Sequence, residues 1–433
     1  MAPDPKGNND ERQRRVARRL QELREFASTR LVGPGEDAND TTAFYVAGEL
    51  LTNRPDVVVR TLGRRGVRSR KASTGCSDVS KVKLPAKHPA CATDVAAQMD
   101  QLVGDDAYVT VNHVLLLAPV TEFGPGGDPE PVEAADPACP PLEGVEWGIA
   151  VVDSGLFSPE PPHLVPAALA VPTETEVVDF DGGGIVDFSA TAHGGFIAGI
   201  IARMTGIVPM VRDVASRDYL RWTFGIRESD VISDVEVLLR DETVKLVNLS
   251  LGTYATEEKT RERADISAMR FKLRRWVKHR PDVLFVCAAG NDGTDRPWYP
   301  AAFAADPDLA DHVVSVGALS STPLRPDPGA DRAAFSNFGD WVTAWAPGVD
   351  HQSDYPADVT YVYGPNQHDP TAPRASFAGY AKWSGTSFAA PFGAAEIARV
   401  AAADGVLPQE AWARLRKEGR TRFPLEGSPC ARD

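Results

Sequence analysis

Residues 145–155 read VEWGIAVVDSG, an apolar β-branched run that stops at a carboxylate followed by a small residue and a glycine. Trp147–Val152 is almost uniformly apolar, the pattern of a strand covered on both faces. Three more such runs follow, Lys245–Leu249, Val283–Ala288 and His312–Val316. Helix-like segments accompany them at Ser229–Arg240, Glu257–Lys278 and Ser387–Ala402. Strands alternating with helices predict a mostly parallel sheet flanked by helices, a three-layer α/β domain over residues 145–433.

Upstream the pattern changes. Residues 120–144 are dense in Pro, Gly and acids without a hydrophobic period, the composition of an exposed linker. Residues 42–119 carry strand character at Phe44–Val46, Val57–Val59, Tyr108–Val111 and Val114–Leu117, with helical spacing at Val95–Leu102. They read as a small α+β domain. Residues 1–41 hold a charged helix over 11–27, with Val16, Leu20, Leu23 and Phe26 on one side. Arg54–Lys87 is rich in Arg and Lys and reads as a solvated basic surface, contact with the acidic remainder being the other reading.

The formal net charge of −14 argues against nucleic acid as a partner, since phosphate binding requires a basic footprint. No apolar run approaches the ~18–20 residues that span a bilayer. The N-terminus lacks the apolar core of a secretory signal, which leads to the expectation of a cytoplasmic protein. Five cysteines pull the other way: Cys76 with Cys91, and Cys139 with Cys430, could pair in an oxidising, extracellular setting, whereas Cys287 sits in a core-like run.

Three segments put a reactive side chain where an element ends. Asp153 closes the first strand, at the end where active sites of α/β sheets collect. His193, in AHGGFIAG (192–199), stands at a helix start and has the side chain suited to moving protons near neutrality. Ser387, in SGTSFAAP (384–391), begins an Ala-rich helix whose dipole favours developing negative charge, and Pro391 is expected within the first turn or so. Singly, each reads equally as a turn residue, a helix-start histidine or an N-cap.

Together these boxes, in the order Asp–His–Ser, resemble the subtilisin-like serine peptidases over roughly residues 145–420. The resemblance implies a triad of Asp153, His193 and Ser387, with Asn291 of AAGN (288–291) as oxyanion donor. It further implies a peptide-binding strand at Ser250, Leu251 and Gly252, with Ala289 and Gly290 alongside and Gly225 on the opposite wall. Ser336–Gly339 and Ala346–Gly348 match the family's framework, whereas His-Gly-Gly-Phe departs from its commonest histidine box and the loop Asp213–Arg227 is unusual. The expected activity is therefore endopeptidase cleavage of a peptide or protein substrate through an acyl-enzyme. The alternatives are a catalytically silent peptide-binding module on the same scaffold, or Ser–Glu–Asp chemistry, which the histidine box disfavours. No cofactor is required for the chemistry. Calcium at Asp179, Asp181 and Asp187 fits no defensible ligand pattern, so no metal site is assigned. By the same resemblance, residues 42–119 are either a prosegment that inhibits intramolecularly or a permanent recognition domain.

Overall fold

A computed structural model describes residues 31–32, 44–63, 67–71, 78–84, 96, 107–117, 129–156, 189–214, 225–254, 267–327, 329–362 and 374–425. The expected helix at 11–27, the acidic loop with Asp179, Asp181 and Asp187, and Cys76, Cys91 and Cys430 lie outside the described residues.

In chain order the first elements are β1 (Leu31–Val32), β2 (Phe44–Thr52), α1 (Pro55–Leu62), β3 (Arg68–Lys71), β4 (Ser80–Lys83), β5 (Val109–Leu117), β6 (Glu130–Pro131) and β7 (Gly148–Asp153). Next come α2 (Ser189–Thr205), β8 (Met210–Asp213), β9 (Gly225–Arg227), α3 (Glu228–Leu238), β10 (Val244–Leu249), β11 (Leu251–Tyr254) and α4 (Ser267–His279). The chain continues with β12 (Leu284–Ala288), β13 (Trp298–Tyr299), β14 (Val313–Leu319), β15 (Ala344–Pro347), β16 (His351–Val362), β17 (Arg374–Trp383), α5 (Thr386–Asp404) and α6 (Pro408–Lys417). By contact they fall into two units. One joins residues 1–115 with 225–237 and 253–275; the other holds 116–224, 238–252 and 276–433.

The second unit is built on a six-stranded sheet in the order β15-β14-β12-β10-β7-β8, with every pairing parallel. Its central strands are buried almost throughout, as their apolar sequences require. Helix α5, Ala-rich and buried along most of its length, packs on β12, β14 and β15 and against α2. Small side chains let that helix lie close to the sheet.

A three-stranded antiparallel sheet, β16-β17-β6, was not expected from the sequence. Strand character is nevertheless present in its sequence, in VTYV (359–362) and SFAGYAKW (376–383). The described part of 120–144 is fastened to it. Pro131 pairs with Ala381 and Glu130 with Lys382, and Asp136 exchanges two hydrogen bonds with Gln352 (2.7 and 2.9 Å). Cys139 and Leu142 then donate to the carbonyls of Arg203 and Thr205. The composition of a linker here belongs to a strap, held by its backbone and lacking an apolar face of its own.

In the first unit β2 lies between β4 and β5, with β3 on β4, β1 on β2 and β9 on β5. Val57–Val59, expected as strand, are helical: Pro55 opens α1, Asp56 sits in its first turn, and Val58 is buried. Position-specific start signals and one buried face override the β-branched preference. The basic stretch is not wholly solvated. Lys81 pairs with Asp230 at 3.2 Å and is nearly buried. Buried His113 meets Glu228 at 3.0 Å, and Glu228 also accepts from the Met269 N–H. Lys272 sits between Asp78 and Glu236.

Candidate active site

The second unit brings several of the singled-out residues together. Asp153, at the end of β7, accepts hydrogen bonds at its Oδ1 from His193 Nδ1 and from the Ser154 N–H, each 2.8 Å long. A carboxylate can only accept, so Nδ1 carries the proton and Nε2 of the neutral ring keeps its lone pair. Nε2 is buried and has no hydrogen-bond partner among the described residues. His193 lies early in α2. The Gly194 N–H donates to Ser154 Oγ at 3.0 Å, and any side chain at 194 would run into the Gly155 carbonyl, 2.5 Å from where its Cβ would stand. The glycine after the histidine is thus set by the close approach of the Asp153 turn.

Ser387 stands in the first turn of α5, at the positive end of the helix dipole. The next residue, Phe388, packs on the His193 ring at 5.5 Å. Trp383 meets that ring edge-on at 5.7 Å and Phe388 at 5.0 Å, while Phe196 packs on both. Asp153, His193 and Ser387 are fully buried. This aromatic wall escaped the sequence reading, although Phe196 and Phe388 lie inside the motif boxes.

Pro391 falls deeper in α5 than expected, five residues past its start. A proline there has no N–H for the carbonyl four residues back, which is that of Ser387. That carbonyl accepts instead from Ser250 Oγ at 2.9 Å, and Ser250 Oγ in turn accepts from Asn248 Nδ2 at 3.0 Å. Asn248, at the head of the segment expected to bind peptide, therefore anchors the bridge between that strand and the Ser387 helix.

Asn291 follows β12. Its Oδ1 accepts from both the N–H and the hydroxyl of Thr386, each at 2.8 Å. Two donors on one oxygen fix which end of the amide is Oδ1 and which is the donor Nδ2. Thr386 Oγ1 also accepts from the Gly290 N–H. Asn337, fully buried, holds the loop from behind: its Oδ1 accepts from the N–H groups of Asp292 and Thr294, and its Nδ2 donates to the Ala289 carbonyl. Thr386 and Asn337 were visible only as motif neighbours, because their work is done across 95 and 48 residues of chain.

Leu251 and Gly252 form an antiparallel pair with Leu117 and Leu116. Gly225 opens β9 in the other unit. Among the described residues no group of three His, Cys, Asp or Glu side chains could hold a metal ion, and no helix is long and apolar enough to cross a membrane. Cys139 is disulfide-bonded, to a partner outside the described residues, and Cys287 is a buried free thiol whose pKa burial pushes up.

The model of the Subtilase family (Peptidase_S8) matches residues 146–417. Subtilisin Savinase of Lederbergia lenta is 26% identical over 263 residues, 60% of this chain and 77% of that protein. An alkaline protease of Shouchella clausii is 26% identical over 60% of this chain and 55% of its own length. The chain thus spans little more than half of some curated relatives. Among solved structures, fervidolysin from Fervidobacterium pennivorans, described as a keratinolytic enzyme related to subtilisin, superposes with a TM-score of 0.54 at 17% identity. The superposition covers 91% of this chain and 59% of that one. Its fold is the same.

Proposed function

The chain belongs to the subtilase family, and from that premise we propose that it is a serine endopeptidase acting through Asp153, His193 and Ser387. The observation that carries the reading is the buried Asp153–His193 hydrogen bond, which leaves Nε2 as a base beside the start of the Ser387 helix. In the mechanism His193 Nε2 takes the Ser387 proton as the hydroxyl oxygen attacks a peptide carbonyl. Asp153 holds the tautomer and stabilises the imidazolium without taking the proton. Asn291 Nδ2 and the Ser387 N–H stabilise the developing oxyanion. The imidazolium then protonates the leaving amine, and water, deprotonated by the same nitrogen, releases the acyl group.

The peptide substrate would add a strand to the edge of β11 at Leu251 and Gly252. In the intact chain that edge is paired with Leu116 and Leu117, which supports inhibition of the site by the chain's own N-terminal part. Cleavage between residues 118 and 128 would break the connection and leave the strap from Pro129 onward on the second unit. The disulfide at Cys139 favours an oxidising compartment over the cytoplasm. The proposal is tested with a peptide ester: Ser387→Ala should keep the far- and near-UV circular dichroism of the parent and lose turnover. Parent-like turnover by that variant would dispose of the mechanism.

A further inference from the structure

The indole of Trp298 stands between the strand edge at Gly252 and the loop at Gly290. Ser250 is tied through its hydroxyl to the Ser387 carbonyl, which brings the strand edge at Ser250 to Gly252 beside the start of the Ser387 helix. On the endopeptidase reading, a peptide strand added there would send the side chain before the scissile bond between Gly252 and the loop at Ala289 and Gly290. Both glycines report what is there. A Cβ on Gly252 would meet the indole of Trp298, at Nε1 and at Cε2 (2.5 Å), and the Tyr299 carbonyl (2.5 Å). A Cβ on Gly290 would meet Asn337 Nδ2 first and then the other edge of the same indole, Cδ2 and Cγ, each at 3.2 Å. One ring therefore touches both walls. Trp298 is almost fully buried, and its strand β13 pairs with β11, so the ring is held by backbone as well as by packing.

We infer that Trp298 is a specificity-determining residue: it plugs this pocket and restricts the residue before the scissile bond to a small side chain, glycine, alanine or serine. The inference rests on the endopeptidase reading and adds its substrate class. A bulky residue would require the indole to leave a site where aromatic burial holds it. Pockets that differ by a few methylenes discriminate by tens to hundreds of fold.

The test uses the full chain as purified, with active sites counted by a fluorophosphonate probe, and p-nitroanilide peptides that differ only in alanine, leucine or phenylalanine before the scissile bond. The parent should favour alanine over phenylalanine by about 100-fold or more in kcat/KM. Trp298→Ala should raise the phenylalanine-to-alanine ratio at least about 10-fold, with Trp298→Leu between the two. A parent that accepts phenylalanine as well as alanine, or a ratio unmoved in variants that still take up the probe, overturns the inference and leaves the peptidase reading standing. A parent that takes up no probe even after intact mass shows cleavage between residues 118 and 128 overturns the peptidase reading, and the inference with it.

Discussion

Replacing Ser250 by alanine should destabilise the protein through a carbonyl on a different element. Pro391 deprives the Ser387 carbonyl of its helical donor, and Ser250 Oγ supplies the substitute at 2.9 Å while accepting from Asn248 Nδ2 at 3.0 Å. Asn248, Ser250 and Ser387 are all fully buried, so water cannot replace the hydroxyl without rearrangement. One orphaned acceptor and one orphaned donor, at about 1–3 kcal/mol each, give an expected loss of about 2–4 kcal/mol, allowing for partial relaxation. Urea unfolding of the fluorophosphonate-blocked protein, which cannot digest itself, measures this directly. The explanation is sharpened by Pro391→Ala, which restores an N–H aimed at the same carbonyl. In the double variant the Ser250→Ala loss should shrink by at least about 1 kcal/mol, a non-additivity outside the usual scatter for independent sites. Strict additivity, or a Ser250→Ala loss below about 0.5 kcal/mol, would refute the reasoning.

Asn291→Ala should lower kcat by about 100- to 1,000-fold with little change in KM, because the amide binds an oxygen that is charged only in the transition state; steady-state kinetics would refute this by showing the loss in KM. Burial raises the Asp136 pKa to about 6, with the Gln352 N–H and the Arg203 charge opposing. Its contribution to stability is therefore full below about pH 4 and lost as pH rises through about 6. His351, lowered to about 4 chiefly by burial, runs in the opposite sense over part of that range, so the informative quantity is parent minus Asp136→Asn. That difference should move against the parent by about 1–3 kcal/mol between pH 4 and 7.5, and a flat difference in urea titrations would count against it. Reduction of the Cys139 disulfide should cost about 2–5 kcal/mol, read as a lower thermal midpoint with dithiothreitol; an unchanged midpoint with proven reduction would contradict a structural role.

The parallel sheet was legible because β7, β10, β12 and β14 are buried on both faces and their sequences state it without interruption. Boundaries moved by a residue or so, as at α5, which starts at Thr386 instead of Ser387. Three features were not legible. The Val57–Val59 run sits in a helix because Pro55 and the burial of Val58 outweigh propensity. The strap at 129–144 has no hydrophobic period, since backbone hydrogen bonds hold it. Strands β16 and β17 did not stand out, because Asp354 and Pro356 interrupt the first and Gly379 the second. At the site, Asp153, His193 and Ser387 stood out in the sequence by motif. The groups that brace them did not: Thr386 and Asn337 bond partners 95 and 48 residues away along the chain, and no local pattern encodes such pairings.

The most direct measurement is the site and dependence of covalent labelling by a fluorophosphonate, read by peptide mass spectrometry. One adduct per chain on Ser387, lost when His193 becomes alanine, is the predicted result. An adduct elsewhere, or undiminished labelling without the imidazole, would contradict it.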